Sequence, residues 1–304
     1  VRIVQGDEQP TIESQTVRAG KLARTYILTG DDESRGNFIF GLFSQSGDFY
    51  APRHHHNFDQ WRYQIEGEVG FDRNVMKPGT LGYFPEGSYY GPNHHDLPEG
   101  TVEESNVVAV VQFGGPAGNG FPSVAKAYGA FEELKQFGRF ERGVFYRNDG
   151  VPGKRTMDSF QASWEYAMKR PMVYPEPQYS GQILMETHNY RWMPLDGASG
   201  VEEKTYGTFS DCEIRGASYK LDPGAAFEAR GRGIFFVLSG NGSLEGEPYR
   251  RYTALYLESG ESASFRAAET SEILLLGLPD VARMRTPLPH DPDAVEEEQL
   301  TPHG

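Results

Sequence analysis

Short apolar runs broken by glycine, proline and asparagine set the pattern of the chain from Gly36 to Phe113: NFIFGLF, QWRYQIEG, TLGYFPEG and NVVAVVQFGG. Runs of this length, with turn residues at close spacing, predict antiparallel strands in a sandwich or barrel. After Gly114 the period changes. Ser123 to Phe137 and Met157 to Lys169 carry apolar residues at helical spacing with good helix formers between them, which predicts two short connecting helices. From Gly207 the strand pattern returns in CEIRGASYKLDPGAAFEARGRGIFFVLSGNGSLEG. The expected class is all-β with short helices in the middle.

A chain of 304 residues holds one large core or two smaller ones, and domains of ~100 to 150 residues are the commonest size, so two are expected. Glycine at 36 and proline at 20 fit an antiparallel β architecture. No run approaches the ~18 consecutive apolar residues of a spanning helix, and no basic-then-apolar leader opens the chain, so no membrane partner is expected. The formal net charge of −14 repels phosphate backbones, which argues against a nucleic-acid partner. That excess is partly local, in the run Asp293 to Glu298, and does not oppose a small anion bound beside a particular arginine. Cys212 is the only cysteine, so no intrachain disulfide forms and a cytoplasmic location is expected.

Five of the eight histidines fall in two short segments, APRHHHNFDQWRYQIEGEVGF (Ala51 to Phe71) and KPGTLGYFPEGSYYGPNHHD (Lys77 to Asp96). In extended chain His54 and His56 look to one face and His55 to the other, and two imidazoles on one face can share a metal. By the same parity Gln60, Arg62 and Gln64 share a face. If Trp61, Tyr63 and Ile65 face the site instead, Gln60 and Arg62 leave it, so the strand register decides the argument.

These segments resemble the cupin family. Its first motif is two histidines one residue apart, three or four spacers, a glutamate, six spacers and a glycine; here it runs His54, His56, Gln60, Gly67. Its second motif is matched by Gly79, Pro85 and Gly87, with Tyr90 in place of the last histidine. The chain departs from the family at Gln60 and at Tyr90. Registering Gly240 on Gly67 puts Phe227, Ala229 and Gly233 where His54, His56 and Gln60 stand, so the second half keeps no ligand. Ser271 falls near the place of Tyr90. The resemblance implies two jelly-roll-like, double-stranded β-helix barrels: an N-terminal barrel at 1–115 with a metal site, a connecting segment at 116–205, a degenerate C-terminal barrel at 206–290 and an acidic tail at 291–304.

It further implies one divalent metal on His54 and His56, iron(II) first, with manganese, nickel or zinc as alternatives. Gln60 is a candidate ligand or a neighbour of the ligands, and Tyr90, His94 or His95 would complete the set. Asp59, Glu86 and Asp96 are nearby carboxylates expected to face water. Arg62 is expected to anchor a substrate carboxylate through its planar fork, or to pair with Glu66 or Glu68. Gln64 and Tyr83 would orient the substrate, and Tyr90 and Arg62 would take part in catalysis. His188 stands alone and reads as structural. The activity implied is a non-haem iron dioxygenase acting on a small aromatic or oxygen-rich molecule. The alternatives are an isomerase or lyase working by proton transfer, and a noncatalytic binding protein. A homodimer through edge strands is the expected assembly.

Overall fold

The computed structural model of the chain describes residues 1–15, 18, 21–30, 35–45, 49–71, 73–94 and 106–285, with the backbone alone at 14, 15, 21 and 94. The expected strands form two seven-stranded sheets. The first runs Ile183–Glu186, Thr80–Phe84, Asp59–Glu66, Val107–Phe113, Phe38–Gln45, Lys21–Thr29, Thr11–Gln15, with every neighbouring pair antiparallel. The second runs Arg2–Gln5, Thr253–Leu257, Gly233–Ser239, Ser271–Gly277, Arg215–Leu221, Val201–Thr208, Met193–Pro194. Each packs on a smaller four-stranded sheet. The molecule is thus mostly β, with two α-helices among the described residues.

The halves are not strictly sequential. Arg2–Gln5 joins the second half's sheet by pairing with Thr253–Leu257, and Ile183–Glu186 extends the first half's sheet beside Thr80–Phe84. Strand alternation then sorts the side chains of Asp59–Glu66. Trp61 is fully buried between the two large sheets among Phe40, Leu81, Ile214 and Phe236. Its Nε1 donates to Gly277 O at 2.8 Å. A Cβ on Gly216 would stand 3.1 Å from the indole, so the bare glycine backbone makes room for the ring. Gln60 and Arg62 are left on the opposite face, inside the first half.

The interiors of the two halves differ. In the second, Phe227 and Ala229 are buried in a continuous apolar cluster with Leu244, Phe265 and Ile273. Phe227 stacks on Tyr219 with ring centroids 4.2 Å apart. Side chains fill the volume that the first half leaves open. Ser271 is buried and bonded to the Tyr249 hydroxyl at 2.8 Å.

The two helical patterns fold as Val124–Leu134 and Ser159–Met168. Ser123 caps the first by accepting from Lys126 N, and Asp158 caps the second by accepting from Phe160 N and Gln161 N. The second Asp158 oxygen takes Arg18 Nη1 at 2.6 Å. Phe131 and Val124 on one helix, and Phe160 and Trp164 on the other, turn toward the interior of the first half and close its side.

Candidate functional site

The histidine segment is a loop, not a continuous strand. One antiparallel bridge fixes it: His54 N donates to Tyr90 O at 3.0 Å and Tyr90 N to His54 O at 2.9 Å. Gly87 N then donates to His56 O at 2.7 Å. Gly87 has φ +77° and a Cβ there would run into Pro175 O, so the Pro85–Gly87 turn requires glycine. Between these two ties, His54 and His56 face the same cavity with ring centroids 4.8 Å apart. His55 turns away and is stacked between Tyr174 at 3.6 Å and Tyr89 at 4.0 Å.

The chemistry of the two imidazoles follows from their partners. His54 Nδ1 lies 2.5 Å from Pro52 O. A carbonyl only accepts, so Nδ1 carries the proton and Nε2 has a bare lone pair. His56 packs against Phe58 at 4.4 Å and Phe160 at 4.7 Å, and its Nδ1 is buried without a hydrogen-bond partner. Burial, reinforced by the Arg18 charge, pulls His54 down to about 3. Burial also holds His56 well below the ordinary histidine range. Both rings are neutral at pH 7.

Beside them Gln60, Arg62, Tyr90 and Gln112 form one network. Gln60 Nε2 donates to the Tyr90 hydroxyl at 2.8 Å, while Gln60 Oε1 accepts from Arg62 Nη2 at 2.9 Å and from Gln112 Nε2 at 3.1 Å. Arg62 Nη2 also reaches the Tyr90 hydroxyl at 3.4 Å. Its guanidinium sits against the rings of Phe84, Phe71 and Tyr90, with the central carbon 4.5, 5.2 and 5.5 Å from their centroids. Neither expected salt bridge of Arg62 forms among the described residues; Glu66 reaches Arg251 at 3.7 Å instead.

The cavity measures about 230 Å³. Its polar wall includes His54, His56, Arg62, Asn93, Gln112, Arg18 and Arg24. Its apolar wall includes Phe58, Phe121 and Phe160. No aspartate or glutamate is among the lining residues described.

The site differs from the expected one in several residues. Gln60 is buried behind the wall with its amide oxygen saturated by two donors, so it has no lone pair to offer a metal. Tyr90 also lies behind the wall, 3 % exposed, and its hydroxyl accepts from Gln60 and Arg62. Burial raises its pKa and keeps it a phenol, which suits a residue that positions Arg62 rather than a ligand or an acid touching substrate. Gln64 points to the correct face but lies past the cavity, donating to Asn106 Oδ1 at 3.0 Å and Glu66 O at 2.7 Å. Tyr83 lies on the other face, against Trp61 and Phe209, and donates to Asp59 Oδ2 at 2.7 Å. Neither orients a ligand in this cavity.

Asp59 and Glu86, expected in water, are buried. Asp59 Oδ1 accepts from Glu86 N at 2.6 Å, Glu86 Oε1 accepts from Ala117 N at 2.7 Å, and Glu86 Oε2 has no partner. The side chain of His94, and all of His95 and Asp96, lie outside the described residues. Residues missed from the sequence include Gln112, Asn93, Arg18, Phe160 and Trp164. Only Gln112 left a sign, a lone amide closing the apolar run NVVAVVQ, directly across from Gln60 in the sheet.

No protein-family model matches the chain. No curated protein matches it. Solved structures do. A provisionally assigned dioxygenase of Nostoc punctiforme superposes with a TM-score of 0.60 at 11 % identity, over 96 % of this chain and 87 % of that one. A Pseudomonas aeruginosa protein provisionally named glyoxylate-induced gives 0.55 at 12 %, over 90 % and 86 %. The oxalate decarboxylase of Bacillus subtilis gives 0.51 at 12 %, over 91 % and 76 %. The fold is that of the cupins. At this identity the likeness is one of fold, so the chemistry of this chain has to come from its own residues.

Those residues fit a divalent metal at two positions. His54 is oriented by a backbone carbonyl through Nδ1, as metal-bound imidazoles commonly are, and presents an unprotonated Nε2. His56 beside it is neutral and has a buried nitrogen without a partner. Among the described residues no third histidine, cysteine or acidic side chain joins them. Arg18 and Arg62 both oppose a cation there, since their charges already lower the basicity of both rings.

Proposed function

We propose that this chain is an enzyme acting on a small organic molecule in the cavity of the first half, with iron(II) or another divalent metal held by His54 and His56. The observation that carries the reading is the pair of neutral imidazoles, one fixed in the Nδ1–H tautomer by Pro52 O, side by side on a closed wall. When bound, the metal supplies a Lewis-acidic centre with open positions for substrate and dioxygen, the chemistry of a dioxygenase. The chain supplies the rest. Pro52 O fixes the tautomer of His54, and the Tyr90–His54 bridge fixes its place. Phe58, Phe160 and Trp164 exclude water, and the amides of Asn93 and Gln112 offer hydrogen bonds to polar groups of the substrate.

A second reading, proton transfer without metal by an isomerase or lyase, is favoured by the two arginine charges that oppose a cation. Oxygen uptake separates them. Protein loaded anaerobically with iron(II) and offered a panel of single-ring acids is expected to consume dioxygen, and His54→Ala/His56→Ala to lose at least ~100-fold of that rate. Substrate turnover that proceeds in chelator with no oxygen consumed would overturn the first reading in favour of the second.

A further inference from the structure

The ligand's chemical class can be read from one side chain. The inference rests on the cavity being the substrate site, as proposed above, but not on a metal being there. Of the Arg62 guanidinium nitrogens only Nη2 is engaged by the protein, by Gln60 Oε1 at 2.9 Å and the Tyr90 hydroxyl at 3.4 Å. Nε is buried with no partner, and Nη1 makes no hydrogen bond among the described residues. Nε is closed off from the cavity, whereas Nη1 is not buried and is the charged donor left open to a ligand on the cavity wall. The oxygens around Arg62 are neutral, an amide and a phenol, so its charge is solvated in part and neutralised by nothing described.

Two features keep the guanidinium aimed. The rings of Phe71, Phe84 and Tyr90 hold its plane, and Gln112 shares Gln60 Oε1 from the opposite side, so the amide that grips Nη2 cannot turn away. Nη1 is left as a fixed, charged donor on the cavity wall, able to give a charge-assisted hydrogen bond to one oxygen of a carboxylate. The rest of the cavity is chiefly apolar and aromatic, with Phe58, Phe121, Ile39 and Val110 on its walls. No carboxylate among the described lining residues repels an anion.

We infer that the ligand is a monocarboxylic acid with a compact apolar body of about one ring, its carboxylate on Nη1 of Arg62 and its body against the apolar walls of the cavity. Gln60 and Tyr90, which stand where the family's glutamate and histidine would stand, are then positioning residues for the arginine.

The test is calorimetric titration in chelator, with no metal and no turnover, using benzoate and its neutral isostere benzamide. Wild type is expected to bind benzoate at least tenfold tighter than benzamide, the ratio expected of a charge-assisted pair. Arg62→Met is expected to remove that preference and Arg62→Lys to keep part of it, each with its melting temperature measured to establish folding. Equal affinity for the two probes in wild type, binding of neither, or an Arg62→Met protein that still prefers benzoate would each overturn the inference. The comparison in wild type stands even if a variant fails to fold. Because no metal is present, failure of the metal reading leaves this result untouched, and failure here leaves the oxygen-uptake test standing.

Discussion

Trp61→Ala is expected to lower the unfolding free energy by about 3–5 kcal/mol, the range for removing a fully buried large aromatic side chain. The indole is the hinge of the architecture, because it lies between the two seven-stranded sheets and its Nε1 donates across to Gly277 O at 2.8 Å. Alanine leaves a void next to Gly216, which has no side chain to fill it, and strands a buried carbonyl. Trp61 is also the immediate neighbour of Gln60 and Arg62 on the strand, with alternating direction, so its anchorage sets the register of the site. Urea unfolding measures the first effect, and benzoate affinity at a temperature where the variant is still folded measures the second. A loss below about 1 kcal/mol would mean the sheets are held together elsewhere.

Stability is also expected to fall as pH rises from ~7 to ~9, the reverse of the usual carboxylate behaviour. Burial pushes Asp59 up to about 7, and burial with the Asp59 charge beside it pushes Glu86 up to about 9. In the unfolded chain both ionise near their ordinary values of ~4. From there to the folded values the native state binds more protons than the unfolded state, so the contribution of each is full below about pH 4. It is lost progressively until pH 7 for Asp59 and pH 9 for Glu86. The buried histidines act in the opposite sense. His54, held down to about 3, leaves the unfolded chain the better proton binder between there and ~6.5, so its contribution is lost on acidification through that window. The alkaline limb therefore belongs to Glu86 alone above the histidine window and the Asp59 value. Glu86→Gln, which keeps the oxygen that accepts from Ala117 N, is expected to flatten unfolding free energy against pH between ~7 and ~9 by an amount on the order of a few kcal/mol. An unchanged slope in that variant would show that Glu86 is ionised in the native protein.

How far the sequence carried the reader depends on the range of the interaction involved. Alternation along Gln60, Trp61, Arg62 and Tyr63 is local, and the choice between its two faces was open only because the sequence does not say which face meets the other sheet. Trp61 settles it by filling the space over Gly216. The motif spacing put Tyr90 at the place of the family's last histidine but not the direction of its hydroxyl, which depends on Gln60 and Arg62 from another strand. Burial of Asp59 and Glu86 was illegible because it depends on Tyr83 and on the 114–118 turn, where a side chain at Gly115 would collide with Glu86. The helical wall of the cavity was legible as helix and not as wall. Phe160 and Trp164 reach His56 and its surroundings from a segment that carries no motif, docked by contacts far apart in sequence such as the Arg18 to Asp158 pair.

The measurement that bears most directly on the central claim is metal content after anaerobic loading with iron(II) and desalting, in untagged wild type beside His54→Ala/His56→Ala. The account predicts close to one metal per chain in the wild type, weakly held because described residues give it two imidazoles and two opposing arginines, and none in the double variant. Equal content in the two proteins, or no uptake by either, would contradict it and leave His54 and His56 as neutral hydrogen-bond acceptors in a metal-free site.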